Sequence, residues 1–237
     1  MSQPDSRFRI GETFSPASDI AQFADAATLS ALNAPKPLLW LSFDVETSGE
    51  SPVSGDMIML GIAAVRDDAT PHAVHRAWVT DSFQFCSTTS HVIDETNRCF
   101  QEFWVKHLDI LEYIREQAEH PKVGAAKLSQ WLSKLAETYT LRWCASPAAY
   151  DWQWLNAFYD KWAEPSAYRL PHKAECMSGL KLALEFGGMK PYEINRYIYP
   201  TRESTLVYSH NALDDATRQA YVFLRLKQLC KQRAVAQ

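Results

Sequence analysis

The stretch Leu38-Leu39-Trp40-Leu41-Ser42-Phe43-Asp44-Val45 constrains the fold most. An apolar run of this length, followed by the turn signal Thr47-Ser48-Gly49, reads as a buried strand with an aspartate at its C-terminal end. Residues 57–65 form a second strand-sized apolar run, closed by Arg66-Asp67-Asp68, and residues 72–80 alternate loosely as a third. Short turns between the three predict an antiparallel meander. A helical region then begins, capped by Asp94-Glu95-Thr96 and carrying Phe100, Phe103, Trp104 and Leu108. Residues 123–139 are amphipathic, with apolar side chains at 128, 131, 132 and 135. Residues 141–145 read as a short strand, 151–162 as an aromatic-rich helix, 175–186 as a helix stopped by Gly187-Gly188, and 211–233 as the last helix. Strands first, then helices alternating with a strand, imply one α/β sheet domain over residues 37–237. Residues 1–36 read as an N-terminal arm: Ser, Ala, Asp and Pro dominate, and Ala34-Pro35-Lys36-Pro37 breaks one weak helical stretch at 19–32.

Three acidic features carry chemistry. Asp44 and Glu46 stand two apart on the first strand, so their side chains leave the same face. A carboxylate ending an apolar strand is costly to bury without a partner, and a hard divalent cation is one such partner. Tyr150-Asp151 starts a helix after a strand and a Ser-Pro turn, where an acid also meets the helix dipole favourably. His210 precedes Asp215 by five residues at the start of the last helix. Asp214 lies about 100° from Asp215 around that helix, so only one of the two faces a common site. Taken singly, each has an ordinary structural explanation: a solvated acidic pair, a helix-dipole charge, a capping histidine.

Together, the Asp-x-Glu strand, the mid-chain Tyr-Asp and the His-x-Ala-x-x-Asp segment resemble the DEDDh 3′–5′ exonucleases of the ribonuclease-H-like superfamily. That group includes ribonuclease T and the proofreading subunits of polymerases. Order and spacing match over residues 38–225, and the segments 103–107 and 143–151 look most like a phage, viral and bacterial exoribonuclease-like branch. The resemblance implies a ribonuclease-H-like mixed sheet, antiparallel at its start and then parallel, flanked by helices. It implies Asp44, Glu46, Asp151 and Asp215 as ligands of two Mg²⁺ or Mn²⁺ ions, with Asp44 bridging them, and His210 as the general base. It further implies hydrolysis of single-stranded nucleic acid from a free 3′ end to nucleoside 5′-monophosphates, with RNA slightly favoured over DNA. Thr47, Trp104 and Trp152 are candidate substrate contacts because they flank the motifs, as Trp154 also does. The chain departs from many relatives at Met59, where an acidic or small polar residue is common, and mildly at Tyr150, where phenylalanine is frequent. Many relatives form homodimers, though no interface signature is visible.

Composition excludes some alternatives. At 46% hydrophobic and 22% charged residues the chain is globular, and its formal net charge of −4 is not that of a polycationic nucleic-acid coat. No apolar run approaches a membrane span, so no membrane association is expected. The start MSQPDSRFRI lacks the layout of a secretory signal, and five cysteines without CxxC spacing suggest neither a disulfide framework nor a zinc site. A cytoplasmic or other reducing compartment is the expectation. The basic end of the last helix (Arg225, Lys227, Lys231, Arg233) suits either the helix dipole or phosphate tracking. Two rival classes are a catalytically silent nucleic-acid-binding protein on the same fold and an aspartyl-phosphate phosphotransferase with Asp44 as nucleophile. All five expected catalytic positions are filled, against the first. Glu46 stands where the second normally has aspartate.

Overall fold

The structure is a computed structural model that describes residues 35–72, 75–200 and 209–235. The expected N-terminal arm therefore lies outside the described residues, apart from Pro35 and Lys36. A six-stranded sheet organises the rest: β1 Leu38–Thr47, β2 Met57–Arg66, β3 Val79–Ser87, β4 Ala118–Glu119, β5 Thr140–Ala145 and β6 Glu175–Cys176, in spatial order β4-β3-β2-β1-β5-β6. The first three strands pair antiparallel, while β5 joins β1, β6 joins β5 and β4 joins β3 in parallel. This mixed sheet, antiparallel at its start and then parallel, has the topology that the resemblance implies.

The third strand is a correction. It was expected at 72–80, part of which lies outside the described residues, and it runs instead over Val79–Ser87. Its outer half is exposed, and only Phe85, Cys86 and Ser87 are buried, so little apolar alternation marks it in the sequence. Residues 98–116 are likewise broken into α1 (Arg98–Glu102), a 3₁₀ turn at Trp104–Lys106 and α2 (Leu108–Glu116). Asn97, rather than Asp94, caps α1, accepting from the Cys99 N–H at 2.7 Å. The remaining α-helices among the described residues are α3 (Pro121–Thr138), α4 (Ala148–Trp162), α5 (Met177–Phe186), α6 (Pro191–Ile198) and α7 (Ala212–Val235). Helix α6 is not among those expected from the sequence; its short span starts on Pro191, and Glu193 caps that start by accepting from the Lys190 N–H.

The two faces of β1 are covered differently. Leu39, Leu41, Phe43 and Val45 pack with Leu128, Leu132, Trp154, Leu155 and Phe158 of α3 and α4. Trp40 on the opposite face packs with Tyr221, Phe223 and Leu224 of α7. By strand alternation Asp44 and Glu46 belong to this second face. Gly61 sits opposite Asp44 in the β1–β2 register, and a Cβ placed there would meet the carbonyl carbon of Ala212 and the nitrogen of Leu213, each at 2.1 Å. Only a glycine lets the first turn of α7 rest directly on the sheet at this point. Gly61→Ala is therefore expected to destabilise by about 3 kcal/mol, the upper end for overpacking. The melting temperature should fall by roughly 10 °C with a loss of activity. Gly179→Ala, with nothing within 4 Å of its Cβ, is the control and should be neutral or stabilising. A wild-type melt for Gly61→Ala would show that α7 does not seat there.

All five cysteines are free thiols. Among the described residues, no helix is long and apolar enough to cross a membrane.

Candidate metal and catalytic site

At the C-terminal end of β1 a cavity of about 510 Å³ is lined by Asp44, Glu46, Asp151, His210 and Asp215, with Thr47, Tyr150 and Phe103 in its walls. Three separate elements deliver the four carboxylates. Asp44 and Glu46 come from the α7-facing side of β1, Asp151 from the first turn of α4, and Asp215 from the first turn of α7. Glu46, Asp151 and Asp215 are 8%, 4% and 2% exposed, and Asp44 is half-buried.

Such a cluster is electrostatically frustrated when no cation enters it. Burial raises the Asp44 carboxyl well above its ordinary range, reinforced by the charges of Asp151 and Asp215; the hydrogen bond from Gln219 opposes the rise. Glu46 is raised by burial and by Asp44, Asp215 and Asp151. Asp151 is pushed up to about 7, chiefly by burial, and Asp215 is raised by burial against the pull of the Ser209 and His210 N–H groups. One oxygen of Asp151, Oδ2, is sealed from solvent without a hydrogen-bond partner. A divalent cation answers both the repulsion and the orphaned oxygen, and an all-carboxylate donor set suits a hard ion such as Mg²⁺ or Mn²⁺. Single ligand atoms of Glu46, His210 and Asp215 also lie within 4.8 Å of one another. The residues present fit the ions that the resemblance implies.

His210 stands in the wall of the cavity. Its backbone is left-handed at φ 56°, an unusual state for a residue other than glycine, and the Asp215 carboxylate holds it there. Asp215 Oδ2 accepts from the His210 N–H at 3.0 Å and Oδ1 from the Ser209 N–H at 3.3 Å. Asn211 caps the helix, accepting from Leu213 and Asp214 N–H. His210 Nδ1 lies 4.0 Å from Glu46 Oε1. Burial, then the neighbouring His107, lowers the imidazole below its ordinary pKa, with Asp215 opposing. A neutral imidazole at neutral pH is a proton acceptor. Asp214 points elsewhere, pairing with Arg76 on the surface at 2.8 Å.

The expected substrate contacts fare unevenly. Thr47 lines the cavity, where a register shift in the β1–β2 pairing follows Glu46; its hydroxyl donates to Gly49 O at 3.1 Å and lies 3.2 Å from the Tyr150 hydroxyl. Trp104 does not fit the stacking role: its ring is fully buried, and Nε1 donates to Thr47 O at 2.9 Å. Trp152 also lies outside this cavity. It packs against Phe43 and Trp143 at 5.5 and 5.4 Å and lines a separate pocket with Tyr159 and Tyr168. Trp154 is core. Trp104 and Trp154 are thus drawn into packing, while Trp152 stays half-buried at its own pocket. The basic end of α7 is engaged too: Arg225 donates to Tyr197 O, Arg233 to Gly187 O, and Lys227 pairs with Asp67.

Sequence reasoning missed Gln219. Its Nε2 donates to Asp44 Oδ1 at 2.7 Å, and its Oε1 accepts from the Ser146 N–H at 2.8 Å, fixing the amide's orientation. Its position four residues after Asp215 on one helical face was the available signal.

Two solved structures are similar over most of the chain. One is the nuclease domain of 3′hExo, a DEDDh family member, bound to rAMP, at 16% identity and a TM-score of 0.53, covering 83% of this chain and 94% of that one. The other is S. pombe Pop2p in its Mg²⁺- and Mn²⁺-bound form, at 15% identity and a TM-score of 0.51, covering 90% of each chain. The likeness shows a shared fold. No protein-family model and no curated protein matches the chain.

Proposed function

We propose that this protein is a metal-dependent 3′–5′ exonuclease of the DEDDh type, trimming single-stranded nucleic acid to nucleoside 5′-monophosphates. The observation that carries the reading is the convergence of four carboxylates from three elements on one cavity that a histidine also lines. The fold shared with 3′hExo and Pop2p supports it. RNA is favoured over DNA because 3′hExo is bound to a ribonucleotide.

Asp44, Glu46, Asp151 and Asp215 would hold two Mg²⁺ or Mn²⁺ ions. When bound, such ions supply Lewis-acid stabilisation of the phosphoryl group and of the leaving 3′-oxygen. His210 accepts the proton as water attacks phosphorus, a role the carboxylates cannot take while committed as ligands. The new bond forms from the water oxygen to phosphorus. The bond to the 3′-oxygen of the preceding nucleotide breaks, and that oxygen is protonated from solvent. Gln219 orients Asp44, and Asp215 fixes the backbone of His210.

A time course on matched 5′-labelled single-stranded RNA and DNA, with Mg²⁺, Mn²⁺ or EDTA, tests the proposal. The expected result is a metal-dependent descending ladder with mononucleotide release, stronger on RNA. Retention of intact oligonucleotide would favour a silent binding protein, and internal fragments would overturn the exonuclease reading.

His210→Ala should slow the chemical step by about 10²–10⁴-fold with substrate binding retained. The wild-type rate should rise with pH as the imidazole loses its proton, with its midpoint below the usual value of about 6.5 because His210 is shifted down. The variant should lack that limb. Wild-type turnover with the same pH profile would leave His210 only a capping residue.

A further inference from the structure

We propose that Phe103 and His107 are positioning residues that clamp the His210 imidazole from the side, an inference that rests on reading His210 as the base. The backbone of His210 is fixed by Asp215, but among the described residues no hydrogen bond reaches its ring. Glu46 Oε1 lies 4.0 Å from Nδ1. Two aromatic rings lie against it. The His107 centroid lies 4.2 Å away at 57°, and Phe103 meets it edge-on at 4.8 Å and 90°. Phe103 and His107 contact each other at 4.7 Å, so the three rings close a triangle.

The clamp is anchored to the strand that carries the acids. Phe103 packs edge-on against the fully buried Trp104 at 4.9 Å, and Trp104 donates to Thr47 O, one residue beyond Glu46. Cys99 Sγ approaches the same carbonyl at 3.8 Å, and Arg98 pairs with Glu50 on the following turn. The His107 N–H in turn donates to Trp104 O at 2.9 Å. One segment, residues 98–107, thus grips both the end of β1 and the imidazole, and sets the distance between base and carboxylates. A general base depends on that distance, since a misplacement of about 1 Å can cost about 10²-fold in rate.

The test compares His107→Ala, His107→Phe, His210→Ala and the His107→Ala/His210→Ala double variant in the full chain. His107→Ala should lower kcat by about tenfold or more with KM within about twofold, and His107→Phe should restore most of the rate by replacing the ring. On the His210→Ala background, His107→Ala should cost nothing further. Independently of activity, the imidazole NMR signals of His210, assigned by their disappearance in His210→Ala, should shift in His107→Ala. Unchanged ring signals would overturn the clamp. So would a raised KM at constant kcat, or an equal loss on the His210→Ala background, since either means that His107 acts apart from His210. A silent His210→Ala would instead sink the assignment of the base, while the ring signals still report the clamp.

Discussion

Asp44→Asn is expected to lower hydrolysis by about 10³-fold or more while leaving the fold intact and raising the melting temperature of the metal-free protein. The loss follows from removing one of the carboxylates proposed to hold the metal, worth several kcal/mol of transition-state stabilisation at about 1.4 kcal/mol per tenfold. Local geometry survives because the asparagine oxygen can still accept from Gln219 Nε2, whose amide is oriented by the Ser146 N–H. The stability gain follows from linkage. The folded-state pKa of Asp44 is raised above the unfolded value of about 3.9 by burial, Asp151 and Asp215. The native state therefore favours the protonated carboxyl, a stabilisation present in acid and lost as pH rises through the folded pKa. Metal-free wild type should melt lower at pH 8 than at pH 5, with Asp151 titrating near 7 within that window. Asp44→Asn should narrow the difference, and Mg²⁺ should raise the wild-type melt more at pH 8 than at pH 5. Calorimetric melts and single-turnover assays check both halves. More than a tenth of wild-type turnover in Asp44→Asn would dismantle the assigned site.

Asp215→Asn should abolish cleavage to a similar degree, and Asp214→Asn should be nearly silent. The two residues are adjacent, yet Asp215 is buried at the cavity while Asp214 holds Arg76 on the surface. Losing that exposed pair costs at most about 1 kcal/mol. Asparagine at 215 removes a charge from the cavity and leaves one oxygen to serve two N–H groups, those of Ser209 and His210. The left-handed backbone of His210 would relax with it. Steady-state rates of the two variants decide the register of α7, and the opposite ranking would place the wrong face of that helix at the site.

Much of the fold was legible in the sequence because the central elements are strongly periodic. The apolar run of β1, the run of β2 and the amphipathic α3 each follow from local pattern. The third strand was misplaced because its outer half is solvent-exposed and carries Thr80, Asp81 and Ser82, which give no alternation to read. The short α6 escaped for a related reason: eight residues bury only Ile194 and Ile198. Aromatic side chains misled most. Trp104 flanks a motif in sequence but is absorbed by packing, Trp152 stays half-buried at a separate pocket, and the cavity instead gains Phe103 and Tyr150.

The sequence by itself determined the chemical inventory: a carboxylate pair on one strand face, an acid at a helix start, and a histidine five residues before another acid. Those follow from bond geometry and from periods of 2 and 3.6, which act over a few residues. Only the tertiary structure decided that they meet, because the meeting depends on contacts between distant segments. Gly61 lets α7 seat on β2 opposite Asp44. Gln219 then reaches Asp44 across 175 residues of chain, and the 98–107 segment brings Phe103 and His107 against His210. Burial, which shifts the carboxylates upward and His210 downward, comes from that convergence and from no single stretch of sequence.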